Sequence, residues 1–285
     1  PIAITVGAVF YRFFIQLSFL TPYLIFAMLF LTYCNLRLSQ LRLSRLHIWL
    51  ILIQLLGSLS VFFVLSPFNI TLAQGAMICV LAPTGTAAPV ITGMLKGNVG
   101  SLATYSLVSN MCVALAAPVI FSRIGHYQDL PFFESFLAIA QRVFVLLFIP
   151  FALAMALQKF TPGMNAKIAS FSGLSFYLWS VALCIVTGRM VVFIIGQKES
   201  YLTEALIAAG ALIVCAGQFA AGRVIGRRYD DTVAGGQGLG QKNTILAIWM
   251  AQLYLNPVAS IGPGSYVLWQ NIINSYQVWK NRKSL

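Results

Sequence analysis

The chain has 285 residues, of which 59% are hydrophobic and 8% charged, with a mean hydropathy of +0.86 and a formal net charge of +12. A soluble domain carries roughly a quarter charged residues, so this composition excludes a water-soluble globular protein, and its hydrophobicity excludes disorder. The 18 Lys+Arg against 6 Asp+Glu sit mostly between apolar runs, where the positive-inside rule accounts for them without a nucleic-acid partner.

A helical span needs about 20 apolar residues to cross a hydrocarbon core ~30 Å thick. Ten apolar segments follow one another at 1–14, 18–35, 47–66, 71–95, 99–122, 134–158, 168–195, 201–225, 231–255 and 262–279. The first is short for a span, as expected of a chain whose start has been trimmed. Ten spans place both termini on one side. Arg37, Arg42, Arg45, Lys96, Lys159, Lys167, Arg223, Arg227, Arg228, Lys280, Arg282 and Lys283 then share that side, 12 of the 18 basic residues. Arg12, Arg123, Lys198, Asp129, Glu134, Glu199 and Glu204 fall on the other. This asymmetry predicts cytoplasmic termini, and we expect an integral protein of the bacterial inner membrane.

Two segments cannot be continuous helices. The fourth contains Pro83, Gly85 and Pro89, and an interior proline removes a backbone donor and clashes with the preceding turn. The ninth contains Gly235, Gly236, Gly238 and Gly240 among Gln237, Gln241 and Lys242. Each interruption is flanked by apolar sequence, and irregular backbone at membrane depth survives only when buried in protein or lining a wet cavity. One break is in the fourth of ten segments and the other in the ninth, five spans apart. They are therefore equivalent elements of two five-helix halves of opposite orientation, the pattern of an inverted-repeat secondary transporter. The expected fold is all-α: one polytopic transmembrane domain over 1–285, with repeats at about 1–124 and 134–280 and broken, crossing helices 4 and 9.

Broken helices expose amides that attract anions and carbonyls that attract cations. Thr84, Thr86, Gln237, Gln241 and Asn243 add neutral ligands; threonines at such positions can also bond back to their own helix. Lys242 lies 11 residues past Asp231, about 16 Å along a helix from the cytoplasmic surface. That is beyond the reach of a snorkelling stem, and an unpaired charge there costs about 2.5–3.5 kcal/mol or more. No Asp or Glu lies at comparable depth, which leaves carbonyls, amides or an anionic ligand as partners. Gln54 is a second deep polar group, with an inter-helix hydrogen bond as the simpler explanation. Ser106 and Asn110 share a helix face with Ser109 nearby, expected to point inward. Arg142 and Arg189 are expected to snorkel or to pair with Glu134 or Glu204, and His47 and His126 to be interfacial. Cys34, Cys79, Cys112, Cys184 and Cys215 form no CxxC pair and are expected to pack rather than to bridge or bind metal.

The stretch Ala82-Pro83-Thr84-Gly85-Thr86-Ala87-Ala88-Pro89, with Lys96-Gly97-Asn98-Val99 after it, resembles the fourth-helix crossover of the bile acid:sodium symporter family. Gln241-Lys242-Asn243-Thr244 resembles its ninth-helix crossover, and Trp269-Gln270-Asn271-Ile272 its W-H-N-I signature. The resemblance also implies ten spans, a five-plus-five repeat and cytoplasmic termini. It implies that Thr86, Asn243 and Asn271, with Thr84 beside them, face a small organic anion. The wider superfamily includes arsenite exporters, but Thr84 stands at their crossover cysteine. The departures fall on the sodium sites. Ala88 and Pro89 replace a Ser-Asn pair, Gly238 replaces a glutamate, and Lys242 replaces a glutamine, whereas Gln54 is kept. The expectation is that the Lys242 ammonium is a built-in cation in the second sodium position, held by Gln54 and crossover carbonyls. Sodium coupling is then disfavoured, no cofactor is needed, and transport is proton-coupled, uniport or exchange; burial makes proton release from a lysine physically available. A sodium-coupled symporter and a non-transporting receptor on the same fold are the alternatives; an intramembrane enzyme would need a nucleophile or metal cluster at depth.

Overall fold

The computed structural model describes residues 2–36, 41–125, 131–171, 173–196 and 200–283. His126, and the charges at Arg37, Asp129, Lys198 and Glu199, lie outside the described residues. In chain order the helices are α1 (Ile2–Val9), α2 (Tyr11–Phe14), α3 (Thr21–Cys34), α4 (Arg45–Leu65), α5 (Ile70–Leu81), α6 (Ala88–Met94), α7 (Val99–Ile124), α8 (Phe132–Phe160), α9 (Pro162–Ser170), α10 (Leu174–Gly196), α11 (Tyr201–Arg227), α12 (Thr232–Gly240), α13 (Thr244–Tyr254) and α14 (Ile261–Lys283). Among the described residues six helical runs are long and apolar enough to cross a bilayer: Tyr11–Cys34, α4, α7, α8, α10 and α11. The shorter α5 and α13 are apolar as well.

Three expected boundaries differ. Residues 15–17 do not form a loop. Ile15–Leu20 is a 3-10 turn joining α2 to α3, because Gln16 and Ser18 are polar without being helix breakers. The span expected at 168–195 begins later, as α10 at Leu174, and the short α9 before it occupies most of the expected polar connection Thr161–Lys167, ending at Ser170. The tenth segment is present as α14 but is not among the apolar runs: Gln270, Asn271, Asn274 and Gln277 make it polar, and Gln270 and Asn274 are buried in protein.

The chain divides into two compact units. The first comprises Pro1–Arg37, Ala114–Gln197 and Gln252–Pro257. Here α1 approaches α10 at Gly7, where a Cβ would lie 2.9 Å from the Cys184 Cα, so no larger residue fits. The carbonyls at the end of α3, which have no intrahelical partner, are taken by side chains. Gln158 Nε2 of α8 donates to Tyr33 O and Leu36 O, at 3.1 and 2.8 Å, and Asn165 Nδ2 donates to Cys34 O at 3.1 Å. Arg142 is exposed and the Arg189 guanidinium stacks over the Phe193 ring.

The second unit comprises Leu38–Val113, Lys198–Ala251 and Val258–Leu285. It holds two runs of the same plan, a long helix, an interrupted helix and a long helix, as α4, α5–α6 and α7 up to Val113, and as α11, α12–α13 up to Ala251 and α14. Side-chain caps start several of these helices. Asn69 accepts from Leu72 N at the start of α5, Ser200 from Thr203 N at α11, and Ser44 forms a capping box with His47 at α4. His47, buried at the edge of α4, also meets Ser101 Oγ at 3.0 Å. At the far ends, α6 and α11 close on Lys96 and Asp230, both with positive φ (58° and 54°). The next amides bond back to Thr92 O and Gly226 O, as in a Schellman motif.

The contact between α11 and α12 is backbone on backbone. Gly222 and Gly226, one turn apart on α11, face Gly235 and Asp231–Thr232. A Cβ on Gly222 would fall 2.8 Å from Gly235 C and 3.0 Å from Gly236 Cα, and one on Gly226 would fall 3.0 Å from Thr232 Cα. This is the small-xxx-small packing of membrane helices, and it explains glycines in α12 that otherwise weaken the helix.

Candidate functional site: two interrupted helices joined by a bridge

The site is built within the second unit. α5 ends at Leu81 and α6 begins at Ala88; α12 ends at Gly240 and α13 begins at Thr244. The two interruptions run antiparallel. Thr84 and Lys242 form a β-bridge, Gly85 N donates to Gln241 O at 2.9 Å, and Asn243 N donates to Pro83 O at 2.8 Å. Pro83 O, Gly85 N, Gln241 O and Asn243 N, freed by breaking the helices, are thus satisfied by the other break, as irregular chain away from water requires. Gly85 is required there, since a Cβ would sit 2.7 Å from Lys242 O.

The carbonyl ends of both first half-helices carry protein donors. At α5, Lys242 Nζ donates to Val80 O at 2.9 Å, and Gln54 Nε2 donates to Leu81 O and Ala82 O at 2.7 and 3.0 Å. At α12, Thr84 Oγ1 donates to Gly238 O at 3.0 Å and Tyr266 OH to Gly240 O at 2.9 Å. Lys242 is buried, 2% exposed, and its own amide donates to Gln270 Oε1 at 3.0 Å. Gln54, expected to hold the lysine, does not. Its amide serves the two carbonyls next to the lysine's, and its Oε1 accepts from Tyr105 OH at 2.7 Å and Ser109 Oγ at 2.8 Å, which fills both lone pairs.

Hydrogen bonds tie Thr84, Gly238, Gln241 and Lys242 into one cluster. The Gln241 side chain accepts from Asn274, which accepts in turn from Gln237 Nε2 at 2.9 Å. Asn243 is buried and caps α13 by accepting from Leu246 N. Thr86 is half-buried just before α6, and Asn271 is half-buried on α14, one residue past Gln270. Ala88 is fully buried against Leu102 and Ala234, Pro89 is half-buried, and neither has a side-chain oxygen to offer a cation. Ser106 stands apart from the crossover network. Its carbonyl accepts from Asn110 Nδ2, and the residue that reaches Gln54 is Ser109. At Gly238 a Cβ would lie 2.8 Å from Tyr105 Cδ1, so the Tyr105 ring fills the space a side chain at 238 would need. Tyr105, Tyr266 and Asn274 were not singled out from sequence, and Gln270 entered only as part of the Trp269-Gln270-Asn271-Ile272 motif, with no role of its own. A tyrosine in an apolar run looks like packing, and the amides of α14 look like the polar side of a surface helix. The five cysteines are free, four of them buried and Cys112 half-buried. Among the described residues no group of three His, Cys, Asp or Glu could hold a metal.

Long apolar helices, interrupted helices that pair at their breaks, and a buried lysine at the junction define an integral membrane protein of the transporter class. The chain belongs to the sodium bile acid symporter family, whose sequence pattern matches residues 22–218. The members of that family are transporters rather than enzymes. The match contains Gln54, the first interruption and Tyr105; the second interruption and the α14 motif lie beyond it. A search of curated proteins finds no match.

Proposed function

We propose that this protein is a secondary transporter that moves a small organic anion by alternating access without sodium, the Lys242 ammonium standing in place of a coupling cation. The observation that carries this is the state of the carbonyl ends. Val80 O, Leu81 O, Ala82 O, Gly238 O and Gly240 O all accept from protein donors. Hard cations take several oxygen ligands, and each of these carbonyls already gives one of its two lone pairs to a protein donor, so a sodium ion would have to share them with the Lys242 ammonium and the Gln54 amide. Ala88 and Pro89 add none, and Tyr105 fills the space beside Gly238. The anion is proposed to lie against Thr86, Asn243 and Asn271, near the start of α13, where helix amides favour negative charge. The paired runs α4–α7 and α11–α14 support an inverted repeat of ten spans with α5–α6 and α12–α13 as its broken members. The charge sorting supports cytoplasmic termini in a bacterial inner membrane.

The test is uptake of radiolabelled anions, taurocholate and a panel of smaller carboxylates, into proteoliposomes in potassium or sodium buffer. Equal uptake in both is expected. A steep sodium dependence, or no flux of any anion, overturns the reading. Lys242→Gln restores the neutral side chain that the family resemblance implies and tests whether a sodium requirement appears.

A further inference from the structure

We infer that Lys242 carries the coupling proton, so that one proton crosses with each monovalent anion and the complete cycle is electroneutral; this rests on the transporter reading above. The argument begins with the surroundings of the ammonium. Its hydrogen bond is to an uncharged carbonyl, Val80 O. The titratable groups that face it are the Cys79 thiol of α5 and the Cys215 thiol of α11, with the Tyr266 hydroxyl of α14 beside them. None of these is a carboxylate. Of the six acidic residues of the chain, Asp129 and Glu199 lie outside the described residues; Glu134 and Glu204 stand in the first turns of α8 and α11, and Asp230 and Asp231 between α11 and α12. Among the described residues the buried ammonium has no counter-charge, an arrangement that is costly even after relaxation.

Two states remove that cost. With an anion bound at the crossover, ammonium and substrate sum to zero. With the site empty, loss of one proton from Nζ to water leaves a neutral amine, and that amine still has an N–H to donate to Val80 O. The hydrogen bond therefore survives both protonation states, and the lysine can switch without disturbing the Gln54 network next to it. An arginine could not do this, since its guanidinium stays charged in proteins. The cycle balances. A proton binds Nζ as the anion binds, both are released on the opposite face, and the uncharged empty carrier returns.

The experiment uses proteoliposomes loaded with the pH dye pyranine, with voltage set by potassium and valinomycin. The probe is taurocholate, whose sulfonate stays ionised, or the panel anion with the largest flux. The expected result is internal acidification in step with anion entry, uptake driven by an inward proton gradient, and no response to voltage. Lys242→Arg is expected to lose net uptake while anion-for-anion exchange persists, because a permanently charged empty carrier cannot return. Voltage-driven uptake without proton entry overturns this inference and leaves sodium-independent transport standing. Sodium-driven uptake, or no flux at all, overturns both. Because the wild-type protein alone gives the proton and voltage readouts, misfolding of a variant does not remove the test.

Discussion

Gln54→Met tests whether one amide organises the end of α5. The substitution keeps length and approximate volume and removes four hydrogen bonds: two donated to Leu81 O and Ala82 O, and two accepted from Tyr105 OH and Ser109 Oγ. Gln54 is fully buried, so water cannot replace it without a cavity. The Ser109 hydroxyl can turn back to a carbonyl of its own helix, and the Tyr105 hydroxyl shares the lost acceptor. The two carbonyls have no such alternative. Each buried unsatisfied group costs about 1–3 kcal/mol, so the two carbonyls together predict a loss of roughly 2–6 kcal/mol, with Tyr105 pushing toward the upper end. Thermal unfolding of the detergent-solubilised protein, followed by tryptophan fluorescence and aggregation, reads the loss directly. Gln54→Glu is the control, since a protonated carboxyl can still donate one bond. A methionine variant within about 0.5 kcal/mol of wild type, the range of an inconsequential surface change, would refute the view that this glutamine holds the crossover together.

Three further outcomes follow from local geometry. Gly222→Ala places a methyl against the Gly235–Gly236 backbone and is expected to cost about 1–3 kcal/mol by overpacking; thermal unfolding checks it, with Gly217→Ala, where a Cβ meets nothing, as the comparison. Asp230→Gly relieves a left-handed non-glycine residue and should stabilise by about 1 kcal/mol; an unchanged or lower unfolding temperature counts against it. Asn69→Ala removes the bond to Leu72 N and should cost about 1 kcal/mol, measured by hydrogen exchange in the first turn of α5.

The interruptions were legible because Pro83, Pro89 and the glycine cluster are local signals: proline and glycine act on the backbone wherever they occur. Lys242 was legible for a similar reason, as charge at depth is costly in any fold. What the sequence could not convey was partnership. The family resemblance, not the depth of Gln54, suggested a contact with the lysine, and which carbonyl each donor takes depends on how two interruptions 158 residues apart align, Thr84 opposite Lys242. The spacing of Gly222 and Gly226 was present as a GxxxG pattern and passed unread, because the glycines of α12 suggested only a weak helix. Tyr105 was hidden among the many aromatics of an apolar run. The 3-10 turn at Ile15–Leu20 and the short α9 before α10 left no strong mark, since polar residues such as Gln16 and Ser18 do not dictate backbone angles.

The glycine seam also bears on what keeps α12 helical. α12 has nine residues, four of them glycine. Helices shorter than about 12–15 residues are marginal in water even with favourable sequences. The sequence of α12 therefore does little by itself to hold it as a helix. Its helical form rests on the backbone contact with α11, so a side chain added at Gly222 or Gly226 should loosen the second interruption along with the seam.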